Sequence, residues 1–289
     1  MYLNKDNFKK KWALGNCNDE QGLVSVDLGF IEDEALADIH NEIEELVKES
    51  SASSVADPKH ITNWTKPKGK ASQYSLFNTS GDFNDFSTDH NGSNLNKKTT
   101  HLELYPVLKK LIDSFPNKLN CRLNRMGSNG GGLSPHEEHI FLNSRWVNLS
   151  SSMRIRIHIV LKTNEQSKMY LRNEEYHYSL GKVYAFNNGA VHSAINNGKE
   201  DRYHIVMDCV LNDETFDFLV NSNSLYHSQE IIESKPTGTF EWDTFESYGG
   251  LDSIYKKIGI KNARVLSKLY EFSNIIRAFI IKNGLINLK

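Results

Sequence analysis

The sequence predicts a mainly β fold: a sandwich or barrel of short strands, with helices N-terminal to it and a helical cap C-terminal to it. Two observations carry this. Between Asn120 and Val210 short runs with period two are broken by Gly and Asn clusters. Amphipathic stripes of helical period fall before and after that segment. Regularly spaced short strands of this kind describe sheets packed on one another, not alternating βα units.

The 289 residues are enough to bury one sizeable core with appendages. With 34 Lys+Arg against 36 Asp+Glu the formal charge is −2. No global field then draws the protein to nucleic acid or an acidic membrane, and the expected partner is small or uncharged overall. Cys17, Cys121 and Cys209 are widely spaced and odd in number, which gives neither a disulfide framework nor a zinc knuckle. The start, MYLNKDNFKKKW, lacks the apolar run of a signal peptide, and the apolar stretch from Asn274 to Leu288 is interrupted by Arg277, Lys282 and Asn283. A reducing, cytoplasmic setting is the expectation.

Taking the elements in order, Leu36, Ile39, Ile43, Leu46 and Val47 form one helical stripe from Glu32 to Glu49. Residues from about Ser50 to Lys98 are rich in Ser, Asn, Asp and Gly and read as loop with brief ordered pieces, apart from an apolar patch at Tyr74 to Phe77. A second helix is expected over Leu102 to Phe115, with Pro106 near its start. Strands follow at Cys121 to Met126, Met153 to Leu161, Lys168 to Leu171, Tyr176 to Leu180, Val183 to Phe186 and Tyr203 to Val210. After Val210 the pattern turns helical, with periodicity over Leu251 to Ile258 and Ala263 to Ile281. The division expected is an N-terminal helical and loop region over 1–100, a catalytic core over 101–212 and a C-terminal helical extension over 213–289.

Three stretches inside the β region carry chemistry. In an extended segment residues two apart share a face, so His136 and Glu138 can present an imidazole and a carboxylate to one ion, although a solvated acidic turn gives the same pattern. His192, fifty-six residues later in FNNGAVHSAINN, supplies a second imidazole, or is a hydrogen-bonded core histidine. Two histidines and one carboxylate with open coordination positions are how proteins hold Fe(II) for oxygen chemistry. Arg202, ten residues beyond His192, carries a guanidinium suited to bidentate pairing with a carboxylate such as the distal one of 2-oxoglutarate, or it pairs with Asp201, Glu200 or another surface acid. In Met153 to Leu161 alternation puts Arg154, Arg156 and His158 on one face and Ile155, Ile157 and Ile159 on the other. That face is either solvated or set against an anion, since cationic groups are costly in a core otherwise.

The ordered series RIHIVLKTN, GKVYAFNNGAVHSAINNG and DRYHIVMD resembles the aspartyl/asparaginyl β-hydroxylase family in its broad sense, which includes small bacterial proline cis-4-hydroxylases; the similarity runs from about Leu102 to Asn212. The resemblance implies a double-stranded β-helix, a cupin-like jelly roll with the metal near one mouth. It implies His136 and His192 as iron-binding histidines, Arg202 as the grip on the distal carboxylate, and Arg156 and His158 as lining of the cosubstrate pocket. The implied activity is hydroxylation of an unactivated C–H bond of an amino acid, an amino-acid-derived small molecule or a peptidyl residue, using Fe(II), 2-oxoglutarate and O2. One departure matters: the family has Asp, or no acid, two residues after the first histidine, and Glu138 stands there. Glutamate is one methylene longer and reaches the metal only where the backbone stands slightly further back; ligation is expected, which argues against a halogenase, and a Glu138 turned away would leave a two-histidine centre with water in place of the acid. The stretch Ile140 to Ser152, with Phe141, Arg145 and Trp146, reads as a loop that closes over substrate or as plain surface. Two other classes share such a barrel: a cupin-like metalloenzyme that does not use 2-oxoglutarate, and a non-catalytic metal-binding or sensor jelly roll.

Overall fold

The computed structural model describes residues 4–17, 19–49, 53–54, 71–83, 85, 97–136, 153–240 and 260–285. The chain opens with α1 (Lys5–Asn16), β1 (Ser25–Ile31) and α2 (Asp33–Glu49), then β2 (Ser53–Ser54), β3 (Ala71–Asn78), β4 (Lys98–Thr99) and α3 (Pro106–Ser114). The eight strands that follow are β5 (Lys118–Met126), β6 (Gly131–His136), β7 (Arg154–Lys162), β8 (Ser167–Leu171), β9 (Glu174–Tyr176), β10 (Lys182–Phe186), β11 (His192–Asn196) and β12 (Arg202–Val210). The chain closes with α4 (Asp213–Leu219), β13 (Tyr226–Glu233), β14 (Gly238–Thr239) and a final helix α5 (Ile260–Lys282).

Strands β5 to β12 divide between two antiparallel sheets, alternating except at the β8–β9 hairpin, which stays in the smaller one. The larger sheet runs β13-β1-β10-β7-β12-β5-β3-β2, with β4 on β3, and the smaller runs β14-β9-β8-β11-β6. Taking only the eight consecutive strands, the orders β10-β7-β12-β5 and β9-β8-β11-β6 are those of a jelly roll, the double-stranded β-helix expected above. A buried cluster of Met126, Val160, Tyr184 and Phe186 from the larger sheet with Met169, Leu171, Tyr176 and Ala194 from the smaller one fills the space between them.

The other face of the larger sheet is covered by helices. Ile155, Ile157, Ile159, Ile205, Met207 and Cys209 pack there with Phe8 and Trp12 of α1, Ile39, Ile43 and Leu46 of α2, and Leu108, Leu111 and Ile112 of α3. Each helix has a local reason to start where it does. The Asn4 side chain accepts from Asn7 N at 2.9 Å to cap α1. Glu32 accepts from Ala35 N at 3.0 Å at the head of α2. Pro106 opens α3, where its missing N–H costs nothing. The Glu42 carboxylate of α2 accepts from Val107 N at 3.0 Å and Leu108 N at 2.7 Å, placing a negative charge on the α3 N-terminus. Near the other end of the chain, Lys282 pairs with Asp19 at 2.8 Å and holds the end of α5 to the turn after α1.

Several elements depart from the sequence reading. The stretch taken as loop contains β3, an internal strand of the larger sheet whose residues are buried on both faces, so no period-two contrast marks it. The region after Val210 is not only helical, because β13 adds an edge strand beside β1. The strand expected over Tyr176 to Leu180 ends at Tyr176; Tyr178 lies beyond it, buried, its ring stacked on Tyr184 at 4.1 Å. The expected helix at Leu251 to Ile258 and the loop at Ile140 to Ser152 lie outside the described residues. Among the described residues no helix is long and apolar enough to cross a membrane.

Candidate active site

His192 begins β11, and the turn before it is built to hold it still. The Asn187 side chain donates to Trp12 O at 2.8 Å and Leu23 O at 3.3 Å and accepts from Gly189 N at 3.3 Å, which ties the turn to α1. Gly189 packs so closely that a Cβ there would stand 2.7 Å from Asn16 O. The His192 ring is 3% exposed, lies 4.9 Å from the Phe186 ring and has Nδ1 at 2.8 Å from Ala190 O. A carbonyl can only accept, so Nδ1 carries the proton and the lone pair sits on Nε2, the arrangement by which a backbone carbonyl orients a metal-binding imidazole.

His136 is the last residue of β6, and its backbone is the register partner of His192 across the β6–β11 ladder. The two histidines singled out in the sequence, fifty-six residues apart, are therefore opposite one another on neighbouring strands. Glu138 lies outside the described residues, and among the described residues no group of three ligating side chains gathers. A ligand atom on His192 with its tautomer set by a carbonyl, opposite a second histidine position, fits a metal held partly by the β6–β11 edge.

The inward face of the larger sheet continues the site. Along β12 the even positions Arg202, His204 and Asp208 face the barrel interior while Tyr203, Ile205, Met207 and Cys209 turn to the helices. β7 does the same with Arg156, His158 and Val160, as the alternation in its sequence requires. The face proves to be interior and not a solvated exterior.

Arg202 is 3% exposed, and Asp201 next to it is engaged elsewhere, accepting from Arg125 Nε at 2.7 Å and Ser128 N at 3.0 Å. Arg202 itself donates from Nε to His204 Nε2 at 2.9 Å, from Nη1 to Met126 Sδ at 2.8 Å and from Nη2 to Met169 Sδ at 3.3 Å, with Nη2 also 2.8 Å from His204 Nδ1. No carboxylate among the described residues pairs with it. Burial pushes its pKa down to about 9, which still leaves it cationic at neutral pH. His204 Nδ1 lies 3.2 Å from His158 Nδ1, and His158 Nε2 is buried with no hydrogen-bond partner among the described residues. Burial first, and then the Arg202 charge, hold both imidazoles well below the usual histidine range, so both are neutral.

Arg156 sits nearer the His192 and Phe186 rings and is locked to a partner. Its Nε and Nη2 donate to Asp208 Oδ1 and Oδ2 at 2.7 and 2.8 Å, Asn120 donates to Asp208 Oδ2 at 2.8 Å, and the guanidinium lies 5.9 Å from the Phe186 ring centre. Burial raises the Asp208 pKa, but Arg156 and these hydrogen bonds outweigh it and hold the carboxyl below its usual range. The β7–β12 register sets Asp208 against Arg156, then His158 against Val206, with His204 and Arg202 deeper along the barrel. The Cα atoms of Arg202 and Asp208 are thus roughly 20 Å apart along one strand, while the side chains of His192, Phe186, His158 and His204 touch in series and lead from the Asp208 end to the Arg202 guanidinium.

Sequence reading named His136, His192, Arg202, Arg156 and His158 and missed His204, Asp208, Met126 and Met169. The signal for two of these was present: RYHIVMD alternates just as RIRIH does and puts His204 and Asp208 on the Arg202 face. The methionines carried no such signal, because an apolar residue in an apolar run does not announce that its sulfur meets a guanidinium.

The family model described as Aspartyl/Asparaginyl beta-hydroxylase matches residues 33–211, more than half of the chain. Among solved structures, the chain is similar to a prolyl hydroxylase from Trichoplax adhaerens in complex with a hypoxia inducible factor oxygen degradation domain peptide fragment, at 10% identity and TM-score 0.43 over 72% of this chain and 93% of that one. It is also similar to a 2OG-Fe(II) oxygenase family oxidoreductase from Burkholderia pseudomallei, at 12% identity and TM-score 0.37 over 58% and 77%. A prolyl-4-hydroxylase from Pseudomonas putida matches at 9% identity and TM-score 0.35 over 69% and 99%.

Proposed function

The chain belongs to the aspartyl/asparaginyl β-hydroxylase family, and we propose that it is an Fe(II)- and 2-oxoglutarate-dependent dioxygenase that hydroxylates an unactivated C–H bond of an amino acid, an amino-acid-derived small molecule or a peptidyl residue. In this reading His136, Glu138 and His192 hold the metal and Arg202 anchors the cosubstrate, with His158 and Arg156 lining its pocket. Residues 101–212 form the catalytic core, with 1–100 packed on it and 213–289 as the C-terminal extension. The observation that carries the reading is Arg202: a buried cation without a carboxylate partner among the described residues, inside a barrel that also holds His192, the two joined by the touching rings of Phe186, His158 and His204.

A buried guanidinium left without an anion is costly, and the site that keeps one is a site for a bound anion. Here the anion is the distal carboxylate of 2-oxoglutarate, which displaces weak thioether acceptors for a charge-assisted pair. His192 presents Nε2 to the metal because Ala190 O fixes its tautomer. When bound, iron supplies the O2 activation that couples decarboxylation of 2-oxoglutarate to succinate and CO2 with transfer of one oxygen atom to the substrate C–H bond. The chain's own share is position and electrostatics: neutral His158 supplies a ring nitrogen inside the pocket, and the Arg156–Asp208 pair fixes charge near the Phe186 and His192 rings.

The test is iron-dependent formation of succinate and CO2 from 2-oxoglutarate, screened across amino acids and peptides. His136→Ala or His192→Ala abolishes this turnover. Arg202→Ala raises the 2-oxoglutarate KM by about ten- to a hundred-fold, the worth of a lost charge-assisted pair. Full turnover in either histidine variant contradicts the proposed centre, and iron-dependent chemistry without succinate points to a cupin-like enzyme of another kind.

A further inference from the structure

The polar partners of Arg202 are notable for what they lack. A buried guanidinium is ordinarily steadied by a carboxylate, as Arg156 is by Asp208 in the same barrel. Arg202 is steadied by an imidazole instead: His204, 1% exposed, meets its Nε and Nη2 edge at 2.9 and 2.8 Å. The guanidinium can only donate, so His204 must offer it a lone pair, and a neutral ring has one to offer. The other ring nitrogens in the cluster are His158 Nδ1, 3.2 Å from His204 Nδ1, and His158 Nε2, which is buried without a hydrogen-bond partner among the described residues. The remaining contacts of Arg202 are the thioethers of Met126 and Met169, weak acceptors on flexible side chains.

These contacts divide the work. An acid at position 204 would hold the guanidinium but neutralise it, and a hydrocarbon would leave it charged but unaimed. We propose that His204 is a positioning residue: it aims the Arg202 guanidinium from one edge without cancelling its charge, and leaves the thioether-facing donors to be taken over by the distal carboxylate of a dicarboxylate ligand. This deepens the function proposed above and rests on it. His204 touches neither cosubstrate nor metal in this scheme; it acts through Arg202.

Binding and turnover separate the two levels of the claim. Glutarate, a dicarboxylate without the 2-oxo group, is titrated calorimetrically into metal-free protein, with butyrate as the monocarboxylate control, and 2-oxoglutarate KM and kcat are measured with iron. His204→Ala leaves no atom that can reach the guanidinium, His204→Leu fills the space without an acceptor, and His204→Gln restores one. Ala and Leu are expected to weaken glutarate binding and raise the 2-oxoglutarate KM by about ten-fold, with kcat at saturating 2-oxoglutarate within about two-fold and the response to butyrate unchanged. Gln recovers most of the loss. If the Leu variant does not fold, the Ala and Gln pair decides. Wild-type protein that makes no succinate from 2-oxoglutarate sinks the parent reading. Wild-type protein that does, with Ala matching it in glutarate Kd and in KM, overturns the role of His204 alone.

Discussion

His158 and His204 are neutral because they are buried beside Arg202, and this has a consequence for stability. Their folded pKa values lie below the unfolded value near 6.5, so the native state resists protons that the unfolded chain accepts. Stability is then full above about pH 6.5 and is lost as pH falls toward the folded values, by up to about 1.4 kcal/mol per pH unit for each ring. Urea unfolding at pH 7.5 and 5.5 is expected to show this loss, and His204→Gln to reduce it by roughly half. An unfolding free energy flat across that window contradicts the assignment of two neutral rings. At this scale the sequence was legible wherever chemistry needs a rare residue at a fixed spacing, as with His192 and Arg202 ten apart. It was silent on who satisfies whom: Asp201 beside Arg202 was one alternative partner for it, and the fold gives Asp201 to Arg125.

Elements position these residues, and the tightest fit is between α1 and the turn before β11. A methyl group on Gly189 would press on the Asn16 backbone at 2.7 Å, where no flexible side chain can yield. Gly189→Ala is expected to cost about 1–3 kcal/mol by overpacking and to lower iron affinity by shifting His192, measured by unfolding and by metal titration. Wild-type values in both would show that the turn does not hold the histidine. Across β7 and β12 the buried Arg156–Asp208 pair predicts non-additivity. Arg156→Met or Asp208→Leu alone costs about 3–5 kcal/mol by stranding a charge, and the double variant costs less than either; simple addition in a double-mutant cycle contradicts this. Strand β7 was readable because its two faces differ, apolar toward the helices and polar toward the barrel interior. β1 and β3 were not. β3 is largely buried on both faces and so is β1 apart from the exposed Phe30, and register shifts at Asp27/Gly29 and Ser75/Phe77 break what period remained. β6 was disguised by Gly131, Gly132 and Pro135, which an edge strand tolerates.

The whole molecule is a jelly roll with its helices on the outer face of one sheet, and the order of its eight central strands followed from nothing local. Even spacing implied packed sheets; the pairing of β6 with β11 and of β5 with β12 joins segments far apart in sequence and comes from the closing of the barrel. Packing of the helices on the outer face of the larger sheet buries the thiols of Cys17, Cys121 and Cys209. Ellman's reagent is therefore expected to find essentially no reactive thiol in the native protein and all three after denaturation, and fast native labelling would contradict the packing. The same closure brings His192 and Arg202 into one interior, and that convergence is tested most directly by anaerobic titration of the Fe(II)-loaded protein with 2-oxoglutarate, following the visible charge-transfer absorption of the chelate. The account predicts a band that saturates at a single equivalent, disappears in His192→Ala and needs about ten-fold more 2-oxoglutarate in Arg202→Ala. A band of unchanged strength and midpoint in both variants would contradict it.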